Sequence, residues 1–191
     1  VGSEMCIRDS LVDCGSSNRY KKPAQQVLSQ LGSMGVERLS AVAVTHYHAD
    51  HTNGLPELLE RVAVDALYLP EIEDEYGVRD KLVAVTEQTE VSLGAATVTV
   101  FPPVGKGDMN EQGLTYLCTS GDFDLLITGD MSGPTELALT QMYKLPDVEV
   151  LLVGHHGSKY SSQQEFLSKI EPDAAIISVG DNNYGHPTDA A

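Results

Sequence analysis

The sequence is poor in cysteine and in positive charge, and each of these shortages argues against a class of protein. The 191 residues include three cysteines and no tryptophan, so the chain carries neither a disulfide framework nor a paired-cysteine metal knuckle. Only 12 lysines and arginines stand against 28 acidic residues, which gives a formal net charge of -16. This balance argues against a protein that holds nucleic acid by bulk attraction. It does not exclude a nuclease, because bound divalent cations supply positive charge locally.

Long apolar runs are also missing. No stretch approaches the ~20 apolar residues that a membrane-spanning helix needs, and the length suits one domain of roughly 100–200 residues. The first ten residues, VGSEMCIRDS, have neither a signal-peptide pattern nor a helix or strand period. We therefore expect residues 1–10 to be non-native or disordered, and residues 11–191 to form one domain.

Apolar and amphipathic patterns alternate at both ends of the chain, with strand pairs between them. Helices are predicted over Pro23–Met34, Leu55–Val62, Pro134–Tyr143 and Gln163–Ile170. Strands are predicted over Leu11–Gly15, Leu39–Thr45, Ala66–Leu69, Val91–Val100 (two strands turning at Gly94), Leu114–Thr119, Phe123–Thr128, Val148–Val153 and Ala174–Val179. The last of these is apolar enough to be predicted as buried. This order indicates an α/β sandwich, with sheets packed face to face and helices outside.

The densest chemical signal is the motif HYHADH, which follows the apolar run Leu39–Thr45. It holds half of the chain's six histidines. On an extended segment His46 and His48 point the same way, and Asp50 and His51 can face a second metal. Imidazole with carboxylate suits zinc, manganese or iron better than calcium or magnesium. The pattern therefore predicts a metal site.

Further candidate ligands also follow predicted strands. Asp130 closes the run LLITGD, where its carboxylate can bridge two metals or cap the following helix. His155 and His156 open GHHGS, and each is either a direct ligand or a solvated side chain. Ser158 and Lys159 come next and can bind an anionic oxygen. The last predicted strand is followed by a further candidate ligand, His186.

These motifs together resemble the metallo-β-lactamase superfamily, through HxHxDH at 46–51, the Gly-Asp pair at 129–130 and the late histidine at 186. GHHGS at 154–158 and ISVGDNNYGHP at 177–187 are similar to the C-terminal hydrolase domain of ComEC-type DNA-uptake (competence) proteins and its stand-alone relatives. The resemblance covers residues 11–188. It implies a four-layer αββα sandwich with the metal site at one edge, truncated at its N-terminus.

The resemblance also implies a centre of two divalent metal ions, zinc or manganese. The implied metal ligands are His46, His48, Asp50, His51, Asp130, His155 and His186. The predicted catalytic residues are Asp50, His156 and Lys159, with His156 or Lys159 as the donor to the leaving oxygen. The implied supporting residues are Asp13, Asn110, Ser158 and Asn183. Many members of the superfamily carry another ligand histidine between the HxHxDH motif and the bridging aspartate. This chain has no histidine between His51 and Asp130, so it stays open whether His155 or His156 completes the metal shell.

The implied activity is metal-dependent hydrolysis by a hydroxide that two metals activate. A DNA phosphodiester is the leading substrate, so the chain would be a nuclease that cleaves single-stranded DNA without holding nucleic acid as a stable partner. Two alternatives stay open: a hydrolase of a small ester (a lactone or a phosphoester), and an inactive fragment of a DNA-uptake protein. A longer ComEC-type protein would add a membrane channel domain and place this domain outside the cytoplasm, whereas a stand-alone chain would be secreted or cytoplasmic.

Overall fold

The computed structural model describes residues 10–18, 21–72, 76–180 and 182–190. Within these ranges the strands are β1 Ser10–Val12, β2 Arg38–Ala43, β3 Ala63–Leu69, β4 Leu82–Ala84, β5 Thr89–Leu93, β6 Ala96–Phe101, β7 Thr115–Ser120, β8 Phe123–Ile127, β9 Val150–Leu152 and β10 Ala174–Ile176. The helices are α1 Pro23–Met34, α2 Ala49–Thr52, α3 Leu55–Arg61, α4 Gly133–Met142 and α5 Gln164–Ile170. Short 3-10 turns cover Arg79–Lys81 and Gly154–His156.

The strands form two sheets that differ in direction. The first sheet has the order β1-β2-β3-β4, and all of its neighbouring strands are parallel. The second has the order β10-β9-β8-β7-β6-β5. Its strands β5 to β8 are antiparallel neighbours, whereas β8, β9 and β10 run parallel. Parallel neighbours need crossover connections, and the helices that supply them cover the sheets.

Three apolar clusters define four layers. Leu55 and Leu58 of α3 pack with α1 against the first sheet. Leu139 of α4 and Phe166 of α5 pack against the second sheet. A third cluster, centred on Tyr116, contains residues of β2, β6, β7 and β8 and so fills the space between the sheets. The layer order is helices, sheet, sheet, helices, and the predicted αββα sandwich is confirmed.

Proline and glycine positions in the sequence correctly predicted the bounds of α1 and the turn between β7 and β8. The predicted bounds of α1 are confirmed, with proline in the first turn and Gly35 at its end in a left-handed conformation (φ 70°). Such a φ suits glycine, which has no Cβ to clash. The hairpin of β7 and β8 turns at Gly121, which also has a positive φ of 62°.

The last predicted strand needs correction. The run Ala174–Val179 is apolar, but β10 covers only its first three residues and all three are exposed. Ile176 has 54% of its surface exposed. β10 is the edge strand of its sheet and pairs with β9, so apolar sequence does not imply burial at this position. Sequence patterns also missed β4, which lies in the acidic stretch after β3 and extends the first sheet.

The N-terminal segment predicted to be non-native lies outside the described residues, except for Ser10. Ser10 begins β1 and pairs with Ala41 of β2, so the first strand starts one residue before the predicted domain boundary. Among the described residues, no helix has the length and apolar content to cross a membrane.

A buried tyrosine links the two sheets beside the histidine motif. Tyr116 of β7 is 0% exposed, and its hydroxyl donates a hydrogen bond of 2.8 Å to the carbonyl of Val44. Burial raises the pKa of Tyr116 well above its ordinary value, which keeps the hydroxyl protonated as a donor. Val44 precedes Thr45 and His46, so this bond fixes the segment that leads into the motif.

Replacing this tyrosine should weaken the fold without changing it. Tyr116→Phe removes the donor and leaves the Val44 carbonyl buried without a partner, so we expect a loss of about 1–2 kcal/mol in the free energy of unfolding. Urea unfolding of the metal-free protein measures this loss. Tyr160→Phe is the matched control, because that side chain is 62% exposed. Equal urea midpoints for the two variants would contradict the proposed link.

Candidate metal centre

The candidate side chains gather where strands of both sheets end. The motif at 46–51 follows β2, Asp130 follows β8, His155 and His156 follow β9, and His186 lies in the segment after β10. Each of these strands is parallel to a neighbour. The carboxyl ends of parallel strands therefore open at the same edge, where α/β proteins bind their ligands.

Asp13, at the end of β1, anchors the motif. One of its carboxylate oxygens accepts the Thr45 N–H at 2.8 Å, and the other accepts the Thr45 hydroxyl at 2.7 Å. The second oxygen also accepts a hydrogen bond from His51 Nδ1 at 2.8 Å. Because Nδ1 is the donor in this bond, Nε2 is the nitrogen that faces the site and that can bind a metal once it has lost its proton. Asp13 therefore contacts both Thr45 and His51, and its supporting role at a metal site stays a prediction.

The turn after β1 also fixes the backbone of the motif. Cys14 N–H donates to the carbonyl of His51 at 2.8 Å. A Cβ at Gly15 would overlap the carbonyl oxygen of Asp50, so only glycine permits this close approach. Asp13 itself has a φ of 59°, a left-handed conformation that aspartate tolerates better than most residues.

One candidate metal group consists of His46, His51 and Asp130. All three are buried, and one ligand atom from each lies within 4.8 Å of the others. His51 Nε2 lies 3.4 Å from Asp130 Oδ2, and His46 Nε2 lies 3.9 Å from the same oxygen. His48 stands beside this group, with its Nδ1 3.1 Å from His46 Nε2.

A second candidate group consists of Asp50, His51 and His156, again with ligand atoms within 4.8 Å of one another. His156 Nδ1 donates to the carbonyl of Ser178 at 2.8 Å, which leaves Nε2 free to face the site. That Nε2 lies 3.8 Å from Asp50 Oδ2 and 3.6 Å from Asp130 Oδ2. Asp130 therefore lies between the two groups, where the bridging ligand was predicted.

These donors fit divalent metal ions. The Nε2 atoms of His51 and His156 are buried and have no hydrogen-bond partner, an arrangement that is rare unless the atom has another ligand. Imidazole nitrogens with carboxylate oxygens suit zinc and manganese. Since one ring nitrogen holds one ion, His51 can serve only one of the two groups at a time.

The electrostatics of the cluster set the protonation of its members. Burial, with repulsion from His51, lowers the pKa of His46 to about 4, so this ring is neutral at pH 7. Burial alone would raise the pKa of Asp130, but the neighbouring histidines outweigh it and lower the value to about 2. Burial also opposes a charge on His51, yet Asp13 and Asp130 together raise its pKa to about 10. A metal bound at His51 would replace this proton.

His155 and His186 form a looser pair beside the two groups. His155 Nε2 lies 3.9 Å from Asp130 Oδ2, and its ring centroid is 5.7 Å from that of His186. Neither belongs to the tight ligand groups found among the described residues, which contain His156 instead. The geometry therefore favours His156 over His155 as the ligand from this loop.

Two of the predicted supporting residues, Ser158 and Asn110, have buried atoms near the candidate ligands. Ser158 is buried, and its N–H donates to the carbonyl of His155 at 3.0 Å. Asn110 lies near Gly113, where an added Cβ would be 3.3 Å from the Asn110 carbonyl and 3.7 Å from His46 Cβ. The Asn110 Oδ1 atom is buried without a hydrogen-bond partner.

Two other predicted residues do not join the cluster. Lys159 is exposed, with Nζ 5.0 Å from the ring centroid of Tyr160, and Asn183 is exposed. The neighbouring Asn182, which sequence reasoning did not choose, organises the turn instead. Its Oδ1 accepts the N–H groups of Tyr184 and His186, and its Nδ2 donates to the His186 carbonyl at 2.8 Å. Asparagines favour such turns, but the pair NN does not indicate which one forms it.

A cavity of about 510 Å³ opens onto the cluster. Asp50, His51, Asp130 and His156 line it, together with Ser16–Asn18, Lys21, Ser178 and Tyr184. Among the described residues that line this cavity, Lys21 is the only lysine or arginine. The wall of the cavity therefore contains candidate metal ligands, hydroxyl groups and the cation of Lys21.

A family model described as "Metallo-beta-lactamase superfamily" matches residues 10–181 of the chain. Among curated proteins, ComE operon protein 3 of Bacillus subtilis (strain 168) is 30% identical over 171 residues, which cover 82% of this chain and 22% of that protein. Competence protein ComA of Neisseria gonorrhoeae is 30% identical, with 86% of this chain and 23% of that protein covered. Recombination protein 2 of Haemophilus influenzae is 31% identical, with 89% and 21% covered. The chain thus spans about a fifth of the length of these relatives.

Solved structures share the fold at low sequence identity. A B3 metallo-beta-lactamase with an active-site glutamic acid superposes with a TM-score of 0.56 at 13% identity, covering 84% of this chain and 77% of that one. CmlA, a diiron beta-hydroxylase from Streptomyces venezuelae, superposes with a TM-score of 0.53 at 17% identity, covering 79% and 40%.

Removing the Asp13 charge should weaken metal binding. Asp13→Asn loses the anionic acceptor that orients His51, and an outer partner of a metal ligand is worth about 10- to 100-fold in affinity. Titration of the metal-free protein with zinc or manganese measures this loss. Asp65→Asn is the control, since Asp65 pairs with Arg38 on the exposed surface and should leave the affinity unchanged. Equal affinities for both variants would contradict the role of Asp13.

The same network predicts a pH dependence of the metal-free protein. The pKa of His51 is about 10 in the folded chain against an ordinary 6.5. This histidine therefore stabilises the fold fully below pH 6.5, and the contribution is lost as pH rises through 10. Melting temperatures measured between pH 6 and 10.5 should fall accordingly in wild type, and less steeply in Asp13→Asn. Parallel curves for the two proteins would be the contrary result.

Proposed function

The chain belongs to the metallo-β-lactamase superfamily, and on this basis we propose that it is a phosphodiesterase that cleaves DNA with the help of two divalent metal ions. One observation carries the proposal: two overlapping groups of imidazole and carboxylate ligands, with unpartnered Nε2 atoms, line a cavity. In such a centre bound metals acidify water and neutralise the charge that develops on an ester oxygen.

The proposed ligand sets take His48 from the family resemblance and the other ligands from the two tight groups. We assign His46 and His48 to the first metal, Asp50, His51 and His156 to the second, and Asp130 to both. The 3.1 Å approach of His46 Nε2 to His48 Nδ1 supports the first set. His155 and His186 stay candidate ligands at the edge of the centre. Lys159 has no part in the proposal, because its exposed ammonium lies beside the ring of Tyr160.

The chain's own residues orient the reaction. Asp13 holds His51 by its Nδ1, and the Ser178 carbonyl holds His156 by its Nδ1, so both Nε2 atoms face the same side. Lys21 lines the cavity and is suited to pair with a phosphate oxygen. The hydroxyls of Ser16 and Ser17 on the same loop can donate to a second oxygen.

Two observations bear on the substrate. Relatives at about 30% identity are named for competence and for recombination, which are processes that act on DNA. The net charge of -16 opposes long contacts with a polyanion, so we propose cleavage of single-stranded DNA held mainly through the metal centre. The same charge and the cavity of about 510 Å³ favour the second candidate, hydrolysis of a small phosphoester or lactone.

The setting of the domain is part of the proposal. In the curated relatives the matched region makes up about a fifth of the length. We propose that the domain acts next to a membrane channel domain and outside the cytoplasm when it belongs to such a protein. A stand-alone chain would be secreted or cytoplasmic.

Metal analysis combined with a cleavage assay tests the proposal. The purified protein should hold two metal ions per chain and cleave single-stranded DNA in the presence of manganese or zinc. Asp50→Ala should lose one ion and slow cleavage by more than about 100-fold, because even an outer partner of a ligand is worth about 10- to 100-fold. Asp147→Ala is the matched control, since Asp147 is exposed and precedes β9.

The possible results separate the candidate functions. Two bound metals without DNA cleavage, but with hydrolysis of small esters, would replace the nuclease by the second candidate. A wild-type protein that binds no metal would make the chain an inactive fragment and overturn the proposal. Full activity of Asp50→Ala would contradict the ligand assignment.

A further inference from the structure

The loop after β9 has an unfavourable backbone conformation. His155, His156 and Ser162 have φ values of 50°, 54° and 49°, in the left-handed region that costs free energy for any residue with a Cβ. Such residues persist only where surrounding contacts fix them, and they cluster at functional sites. The loop 154–162 carries His156 into the candidate metal centre, so the contacts that fix it also determine where that imidazole points.

A buried carboxylate on α4 makes these contacts. Glu136 is 0% exposed, and its Oε2 accepts the Ser162 N–H at 2.7 Å. The hydroxyl of Ser162 in turn accepts the Gly154 N–H at 3.1 Å. The carboxylate therefore holds the end of the loop directly and its beginning through one serine.

The other oxygen of Glu136 packs against the beginning of the loop. A Cβ at Gly154 would lie 3.0 Å from Glu136 Oε1 and 3.2 Å from both Thr128 Oγ1 and Ser161 Cβ. A side chain at position 154 would therefore make tight contacts with Glu136, Thr128 and Ser161. Two further hydrogen bonds tie the loop to the segment after β8: Ser161 Oγ donates to the Met131 carbonyl at 2.7 Å, and His155 N–H donates to the Gly129 carbonyl at 3.0 Å.

General stability does not explain an acid at this position. Glu136 Oε1 has no hydrogen-bond partner, and no lysine, arginine or histidine of the described residues forms an ion pair with the carboxylate. Burying such a group costs free energy. Leu139, one turn further along α4, is apolar and equally buried, whereas an apolar side chain at position 136 would leave the Ser162 N–H without its acceptor. The carboxylate is therefore placed where its acceptor oxygen serves the loop 154–162.

We infer that Glu136 is a positioning residue of the metal centre: it holds the loop 154–162 in the conformation that aims His156 Nε2 at Asp50 and Asp130. This inference rests on the proposed metal site. The role requires an acceptor oxygen rather than a charge. Burial raises the pKa of Glu136 to about 7, and either protonation state keeps an oxygen that accepts the Ser162 N–H. Glutamine, which has the same shape and one such oxygen, should therefore replace it.

Two variants and one control test the inference. In the metal-free protein, Glu136→Ala should speed hydrogen exchange of the Ser162 and Gly154 amides by about tenfold or more, since the Ser162 N–H loses its acceptor and the serine that accepts the Gly154 N–H is no longer held in place. In a zinc or cobalt titration it should weaken the second metal by about tenfold or more, the range of an outer partner, and leave the first metal within about threefold. Glu136→Gln should restore both readouts.

Leu139→Ala separates positioning from loss of stability. This change opens a cavity under the same helix and lowers the melting temperature, but it removes no hydrogen bond from the loop. We expect both metal affinities and the Ser162 exchange, corrected for global unfolding, to stay near wild type. Proportional losses in Glu136→Ala and Leu139→Ala would show a structural role alone and overturn the inference.

The readouts also separate this inference from the proposed function. Absence of metal from the wild-type protein would remove the proposed function, and with it the assignment of Glu136 to a metal centre. Unchanged amide exchange in Glu136→Ala would overturn the inference even if two metals bind and DNA is cleaved. Unchanged second-metal affinity in that variant would overturn it as well.

Discussion

The geometry of the candidate centre depends on the hydrogen bonds that the carboxylate of Asp13 accepts. This carboxylate joins the end of β1 to the segment after β2 through Thr45, and it selects the nitrogen of His51 that faces the cavity. Three hydrogen bonds on one carboxylate are possible because Asp13 adopts a left-handed conformation and Gly15 leaves room for the backbone of the motif. The end of the parallel first sheet thus holds Thr45 and His51 in place before any ion is bound.

The second sheet positions its candidate ligands, Asp130 and His156, in a different way. Asp130 follows β8 directly, whereas His156 is presented by a loop with left-handed residues that need external support. An acid stands behind each of the two histidines: the partly buried Asp13 accepts a hydrogen bond from His51, and the buried Glu136 is the anchor that we infer for the loop of His156. Asp50 and Asp130 bring negative charge to the place where a divalent cation would be held, whereas the proposed role of Glu136 needs its acceptor oxygen rather than its charge.

Sequence patterns predicted the parts of the fold that depend on neighbouring residues. Pro23 and Gly35 bound α1 because proline and glycine act on the local backbone, and the motif at 46–51 was conspicuous because its ligands are close in sequence. Exposure of Ile176 was not predictable, since apolar content does not reveal that β10 is an edge strand. The choice of His156 over His155 depends on the Ser178 carbonyl, which lies 22 residues away. The burial of Glu136 likewise depends on contacts with distant residues.

The location of the centre between two sheets has a consequence for how the protein unfolds. Each sheet packs with its own helices around its own apolar cluster, and the third cluster and the Tyr116 hydrogen bond join the two halves, so opening at that shared face would separate two cooperative units. An ion shared by His51 from one half and Asp130 from the other binds only when both are folded and docked. Occupancy would then couple the two units into one transition, and a chelator would free one half to open before the other.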